Sequence, residues 1–133
     1  MKPRPRILLI DTDSEFLAAH EAALAGHGYE VLTAPTGSEG LDTVRAEMPD
    51  LVALDVMLEE HDTGFRVAAD IKNDPLFRRI QVLFVSSVAL ATGYRFSSED
   101  DGYWMKADGY IEKPVEPDAL IRKIDELLDH VEA

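Results

Sequence analysis

The chain contains no cysteine, which excludes disulfide bridges, thiolate metal centres and cysteine nucleophiles. Long apolar runs are missing as well. Stretches such as Leu51–Leu54 and Val82–Val85 have the length of strands and fall far short of the roughly 20 residues that cross a bilayer. Basic residues are scarce, 13 against 26 acidic ones, for a formal net charge of -13. A surface that negative repels phosphate backbones, which argues against direct nucleic-acid binding. Neither a G-x-x-x-x-G-K-[ST] loop nor a G-x-G-x-x-G turn occurs, so nucleotide binding has no motif behind it. The four histidines (His20, His27, His61 and His130) are scattered and suggest no nucleophile–histidine–acid triad.

What is present suits one compact domain over residues 1–133, with 46% hydrophobic and 29% charged residues. The basic start, Met1–Arg6, runs into a strand-like segment and not into an apolar signal region, so a cytoplasmic location is expected. Candidate strands are Ile7–Ile10, Val31–Thr33, Leu51–Leu54, Ile80–Val85 and Tyr110–Ile111. Amphipathic segments lie between them. Phe16, His20, Ala23 and Leu24 share one helical face; Leu41, Val44 and Met48 a second; Phe65, Ala68 and Ile71 a third; Leu120, Ile124, Leu127 and Val131 the last. Thr12-x-x-Glu15 and Thr36-x-x-Glu39 match the capping box, Gly26 and Gly28 mark a helix exit, and Pro117 suits a first helical turn. A fourth helix is expected within Val88–Ala107. Strict strand–helix alternation predicts an α/β fold, a doubly wound five-stranded parallel sheet of flavodoxin-like type.

In such a sheet ligands bind beyond the carboxyl ends of the strands. Asp11, Thr12 and Asp13 follow the first strand, Asp55 ends the third, Ser86 and Ser87 end the fourth, and Lys113-Pro114 follows the fifth. Singly, each has an ordinary explanation as a helix cap or a turn residue. Together they bring carboxylates, a hydroxyl and an ammonium to one rim. Asp55 stands out because it closes an apolar strand and would be costly if buried without a cation. Clustered carboxylates favour a hard cation such as magnesium, which offsets the charge of an incoming phosphoryl group while an aspartate oxygen attacks phosphorus. Lysine and serine can then contact phosphoryl oxygens.

Ile7–Asp11, Pro49–Leu58, Val82–Ser86 and Ala107–Pro114 closely resemble response-regulator receiver domains, in order and over essentially the whole chain. The resemblance implies a (βα)5 signalling switch of a two-component system that catalyses its own phosphorylation and dephosphorylation and is not a turnover enzyme. It implies that Asp55 is the phosphoacceptor, that Asp11, Asp55 and the backbone carbonyl of Met57 hold Mg2+, that Ser86 is the switch hydroxyl, that Lys113 contacts the phosphoryl group, and that Tyr110 is the switch aromatic. The peptide before Pro114 is implied to be cis. The donor would be a phosphohistidine on a sensor histidine kinase or phosphotransfer protein, and the output face the fourth helix, fifth strand and fifth helix.

Three departures bear on this. Thr12 stands where the family usually carries a second acidic, metal-binding residue, so magnesium affinity should fall unless Asp13 or Glu59 compensates. The loop Leu58–Gly64 has glutamate at position 59 where proline is common, and is one residue longer. The segment from Ser86 to Lys113 is also longer than usual, and its insertion, 93–105, carries Tyr94, Phe96, Tyr103 and Trp104. These aromatics fit packing of a longer fourth helix, or alternatively an enlarged partner face. Two competing functions follow: a pseudo-receiver that binds protein without phosphorylation, favoured by Thr12, and a flavin- or nucleotide-binding protein of similar fold.

Overall fold

The computed structural model describes residues 4–60, 63–87 and 107–132. The expected fourth helix, the aromatic insertion and His61 lie outside the described residues. Strands β1 (Arg6–Ile10), β2 (Glu30–Ala34), β3 (Leu51–Leu54), β4 (Gln81–Ser87) and β5 (Gly109–Lys113) alternate with helices α1 (Ser14–Gly26), α2 (Gly37–Glu47) and α3 (Thr63–Asn73). Helix α4 (Pro117–Glu132) follows β5 and is the one expected as the fifth. The strands form one sheet in the order β2-β1-β3-β4-β5, with every pairing parallel.

The strand side chains divide by parity, as a sheet covered on both faces requires. Leu8, Ile10, Val52, Leu54, Val82 and Phe84 pack with Val44 of α2 and with Phe65, Val67, Ala68 and Ile71 of α3. Ile7, Leu9, Leu51, Ala53, Leu83 and Val85 pack on the other face with Leu17 and Leu24 of α1 and with Leu120, Ile124 and Leu127 of α4. The chain is thus doubly wound, with β1 at the point where the strand order reverses.

The helix boundaries correct the sequence reading in two places. Asp13, not Thr12, caps α1: its carboxylate accepts from the backbone N–H groups of Glu15 and Phe16, because an aspartate one residue before the helix is the stronger acceptor. Met48 is not part of the buried face of α2. It ends the helix in the left-handed conformation with φ 48°, which swings its side chain into solvent, 45% exposed. Thr36 caps α2 as expected, accepting from the N–H of Glu39. Among the described residues no helix is long and apolar enough to cross a membrane.

Candidate functional site at the carboxyl rim of the sheet

The rim is built by the sheet itself. Beyond β1 the backbone N–H of Asp11 still donates to Ala34, and beyond β3 that of Asp55 donates to Ile10, each at 3.2 Å. Both carboxylates therefore stand on rigid backbone at adjacent strand ends, where the strand order reverses. Behind them α3 begins unusually close. The N–H of Gly64 donates to Val56 at 2.7 Å, and a Cβ at this position would lie 2.2 Å from the carbonyl oxygen of Asp55. Only glycine lets the helix approach the site so closely.

Lys113, the last residue of β5, reaches across the rim. Its Nζ donates to Asp11 Oδ2 at 2.8 Å and to Asp55 Oδ2 at 2.9 Å. The other Asp55 oxygen, Oδ1, accepts from Ser86 Oγ at 2.8 Å and from the Met57 N–H at 3.0 Å. Asp11 Oδ1 accepts from the Asp13 N–H at 2.9 Å. Asp11 and Ser86 are buried, and Asp55 is only partly covered, so one carboxylate is enclosed and its neighbour is open to a reagent. The Lys113–Pro114 peptide is cis.

Burial acts to lower the Lys113 pKa, but hydrogen bonds to Asp11 and Asp55 and their charges outweigh it, and the net shift is upward. The ammonium is thus firmly charged. Tyr110, in β5 opposite Phe84, is half-buried against the α2–α3 side of the core; burial, then the charges of Glu112 and Asp55, raise its pKa and keep the phenol protonated.

One positive charge set against two negative ones leaves the rim with a net negative charge, and two carboxylates are the ligand chemistry a hard divalent cation prefers. The donor set therefore fits magnesium, although it is sparse. Among the described residues no group of three or more Asp, Glu or His side chains has metal-binding dimensions. Thr12 is exposed. The two carboxylates considered as replacements are engaged elsewhere. Asp13 caps α1, and Glu59 accepts from Gly37 N–H at 2.6 Å and Ser38 N–H at 3.2 Å, at the start of α2. Burial works to raise the Glu59 pKa, but these backbone donors and the charge of Arg66 outweigh it, and the net shift is downward.

The structure therefore gathers Asp11, Asp55, Ser86 and Lys113, with Met57 adjoining. It places Tyr110 in β5, the strand that carries Lys113, leaves Thr12 exposed, and joins Asp13 to Asp11 only through its backbone N–H, its side chain being turned to α1. Sequence reasoning missed Phe16 as a neighbour of the site: its ring centroid lies 4.4 Å from Lys113 Nζ. Helical periodicity assigns Phe16 to the core and says nothing of a contact with β5.

Residues 7–125 match the family model described as response regulator receiver domain. Protein PilH of Pseudomonas aeruginosa is 29% identical over 126 residues, covering 92% of this chain and 97% of PilH. Transcriptional regulatory protein AfsQ1 of Streptomyces coelicolor is 36% identical over 90% of this chain and 51% of its own length, and response regulator PleD of Caulobacter vibrioides is 31% identical over 92% of this chain but only 26% of its own. The chain thus spans nearly all of PilH, about half of AfsQ1 and about a quarter of PleD. Among solved structures, a CheY-like receiver domain protein from Methanospirillum hungatei superimposes with a TM-score of 0.81 at 30% identity, with 97% of each chain covered. A match of this extent, on a sheet with this strand order and this rim, makes the chain a member of the response regulator receiver domain family.

Proposed function

We propose that the protein is a phosphorylation-dependent switch of a two-component system, in which Asp55 accepts a phosphoryl group from a phosphohistidine on a sensor histidine kinase or phosphotransfer protein. The observation that carries this reading is the surround of Asp55: a partly open carboxylate gripped by an ammonium, a buried hydroxyl and a backbone N–H. These three donors can move from carboxylate oxygens to phosphoryl oxygens as the group arrives.

In the step proposed, an Asp55 carboxylate oxygen forms a bond to phosphorus while the bond from phosphorus to the donor nitrogen breaks. The electron pair stays with the imidazole, and Asp55 becomes an acyl phosphate. Lys113 follows one phosphoryl oxygen as a point charge, Ser86 donates to another, and Tyr110 responds to the Ser86 movement as the switch aromatic. Asp11, Asp55 and the Met57 carbonyl would hold Mg2+, which supplies positive charge against the phosphoryl oxygens. Hydrolysis of the acyl phosphate resets the switch, so the protein signals and does not turn over a substrate. One receiver domain over residues 1–133, acting in the cytoplasm on a protein target through the face of the expected fourth helix, β5 and α4, completes the reading. The strongly acidic surface favours a protein target over nucleic acid.

A phosphorylation-independent pseudo-receiver is the second reading, favoured by the exposed Thr12 in place of a carboxylate ligand. Intact mass after incubation with magnesium and acetyl phosphate separates the two. The wild type should gain one phosphoryl group and Asp55→Asn none. A wild type left unmodified by both acetyl phosphate and a cognate kinase selects the pseudo-receiver.

A further inference from the structure

Lysine carries its charge on a flexible four-carbon stem, and two hydrogen bonds to carboxylates do not fix an ammonium that has a third donor free. In this protein an aromatic ring from another layer occupies the remaining side. The Lys113 Nζ stands 4.4 Å from the centroid of the Phe16 ring, within the range of a cation–π contact.

The rim is hydrogen-bonded to the start of the helix that carries that ring. The Asp13 N–H donates to Asp11 Oδ1 at 2.9 Å, and Asp13 Oδ1 in turn accepts from the Phe16 N–H at 3.2 Å. Lys113 closes the circuit by donating to Asp11 Oδ2 at 2.8 Å. From the other direction the ring is stacked on His20, with centroids 4.1 Å apart and planes inclined by 26°. His20 is buried, and its ring nitrogens lie 3.0 Å from the Phe16 carbonyl oxygen and 3.4 Å from that of Val115. Val115 is two residues beyond Lys113, so the same pair of α1 side chains braces the lysine head and the backbone that carries it.

We propose that Phe16, oriented by His20, is a positioning residue that holds the Lys113 ammonium between Asp11 and Asp55 for phosphoryl uptake. It touches neither the phosphorus nor the acceptor oxygen and acts entirely through Lys113. The inference rests on the reading of Asp55 as phosphoacceptor.

The test compares the full chain with Phe16→Leu, which keeps the apolar volume, and Phe16→Tyr, which keeps the ring. The rate of acetyl phosphate-driven phosphorylation at saturating magnesium should fall about threefold to tenfold in Phe16→Leu, the scale of one lost cation–π contact, and should be restored in Phe16→Tyr. Thermal melts confirm that both variants fold. A ring acting only as core filler would give equal rates in wild type and Phe16→Leu, and that result overturns the inference.

The ε-methylene NMR signals of Lys113 provide a measurement independent of phosphorylation. They should be displaced upfield by the ring in the wild type and return to ordinary lysine positions in Phe16→Leu. Ordinary positions in the wild type overturn the inference whatever the rates. Displaced signals in a wild type that takes up no phosphoryl group overturn the phosphoacceptor reading and leave the placement of Lys113 by Phe16 standing.

Discussion

Lys113 neutralises Asp11 across the sheet: the ammonium nitrogen lies 2.8 Å from Oδ2 of a carboxylate whose side chain is 3% exposed. The same nitrogen reaches the more open Asp55. Removing one partner of an enclosed ion pair leaves the other desolvated and unpaired, which costs more than the pair itself contributes. Lys113→Ala should therefore lower stability by about 3 kcal/mol when divalent cations are chelated, and millimolar magnesium should recover much of the loss. Guanidinium unfolding with and without magnesium measures both effects. A variant as stable as wild type in chelator would show that the pairing is not what makes the burial of Asp11 tolerable.

Thr12 is the simplest position at which to test how sparse the proposed metal site is. A carboxylate there would add a hard charged ligand at an exposed position, with no core to disturb. Thr12→Asp should tighten magnesium binding by about tenfold, the order expected of one added charged ligand, as titration calorimetry would show. Unchanged affinity would mean that the side chain at position 12 does not face the cation.

Gly64 makes a prediction about packing. Alanine at this position would place its Cβ 2.2 Å from the Asp55 carbonyl oxygen and 2.5 Å from the Val56 Cα, and backbone atoms cannot move aside as a flexible side chain can. Gly64→Ala should cost roughly 2–3 kcal/mol, the upper part of the range for overpacked sites, and should also slow the proposed phosphoryl uptake, because α3 is pushed away from the strand that ends in Asp55. Denaturant unfolding reports the first effect and the acetyl phosphate assay the second. A variant with wild-type stability would contradict the closeness of this approach.

Glu59 predicts a pH dependence. Its carboxyl is held below the usual range because its charged form receives the N–H groups of Gly37 and Ser38. A depressed folded-state pKa gives stability that is present above the unfolded value, about 4.3, and lost as pH falls through the folded value. Glu59→Gln should be less stable than wild type near neutrality by only about 0.3–0.5 kcal/mol, because the carboxylate is exposed and solvent screens it, and the gap should close in the acid range below the unfolded value. Unfolding curves across pH 3 to 7 test this directly; a gap that stays constant or widens in acid would mean that the charge is not what joins this loop to α2.

Much of this arrangement was legible in the sequence because it depends on backbone periodicity. The apolar run Leu51–Leu54 ending in Asp55 identifies a doubly covered strand with its charge at the rim, and the structure has the strand over those same residues. Asp11, Ser86 and Lys113 were legible for the same reason: each stands at the end of a strand. What could not be read were contacts between layers. The spacing of Phe16 marks a buried face but not that the face ends beneath an ammonium of β5. Glu59 reads as available to a metal because sequence does not reveal that the start of α2, more than twenty residues away, supplies two N–H donors. Thr12 and Asp13 both offer a cap in the sequence, because the hydroxyl-to-glutamate spacing fits as well as the aspartate beside it, and only the helix start decides between them.

The strand order has a mechanical consequence. β3, which carries Asp55, is central and fully enclosed, whereas β5, which carries Tyr110 and Lys113, runs along the margin of the sheet and is only partly covered. Asp55 thus stands on an enclosed strand and its lysine partner on a marginal one. Amide hydrogens of β5 should therefore exchange faster than those of β3, and, on the proposed phosphorylation of Asp55, should change their rate more.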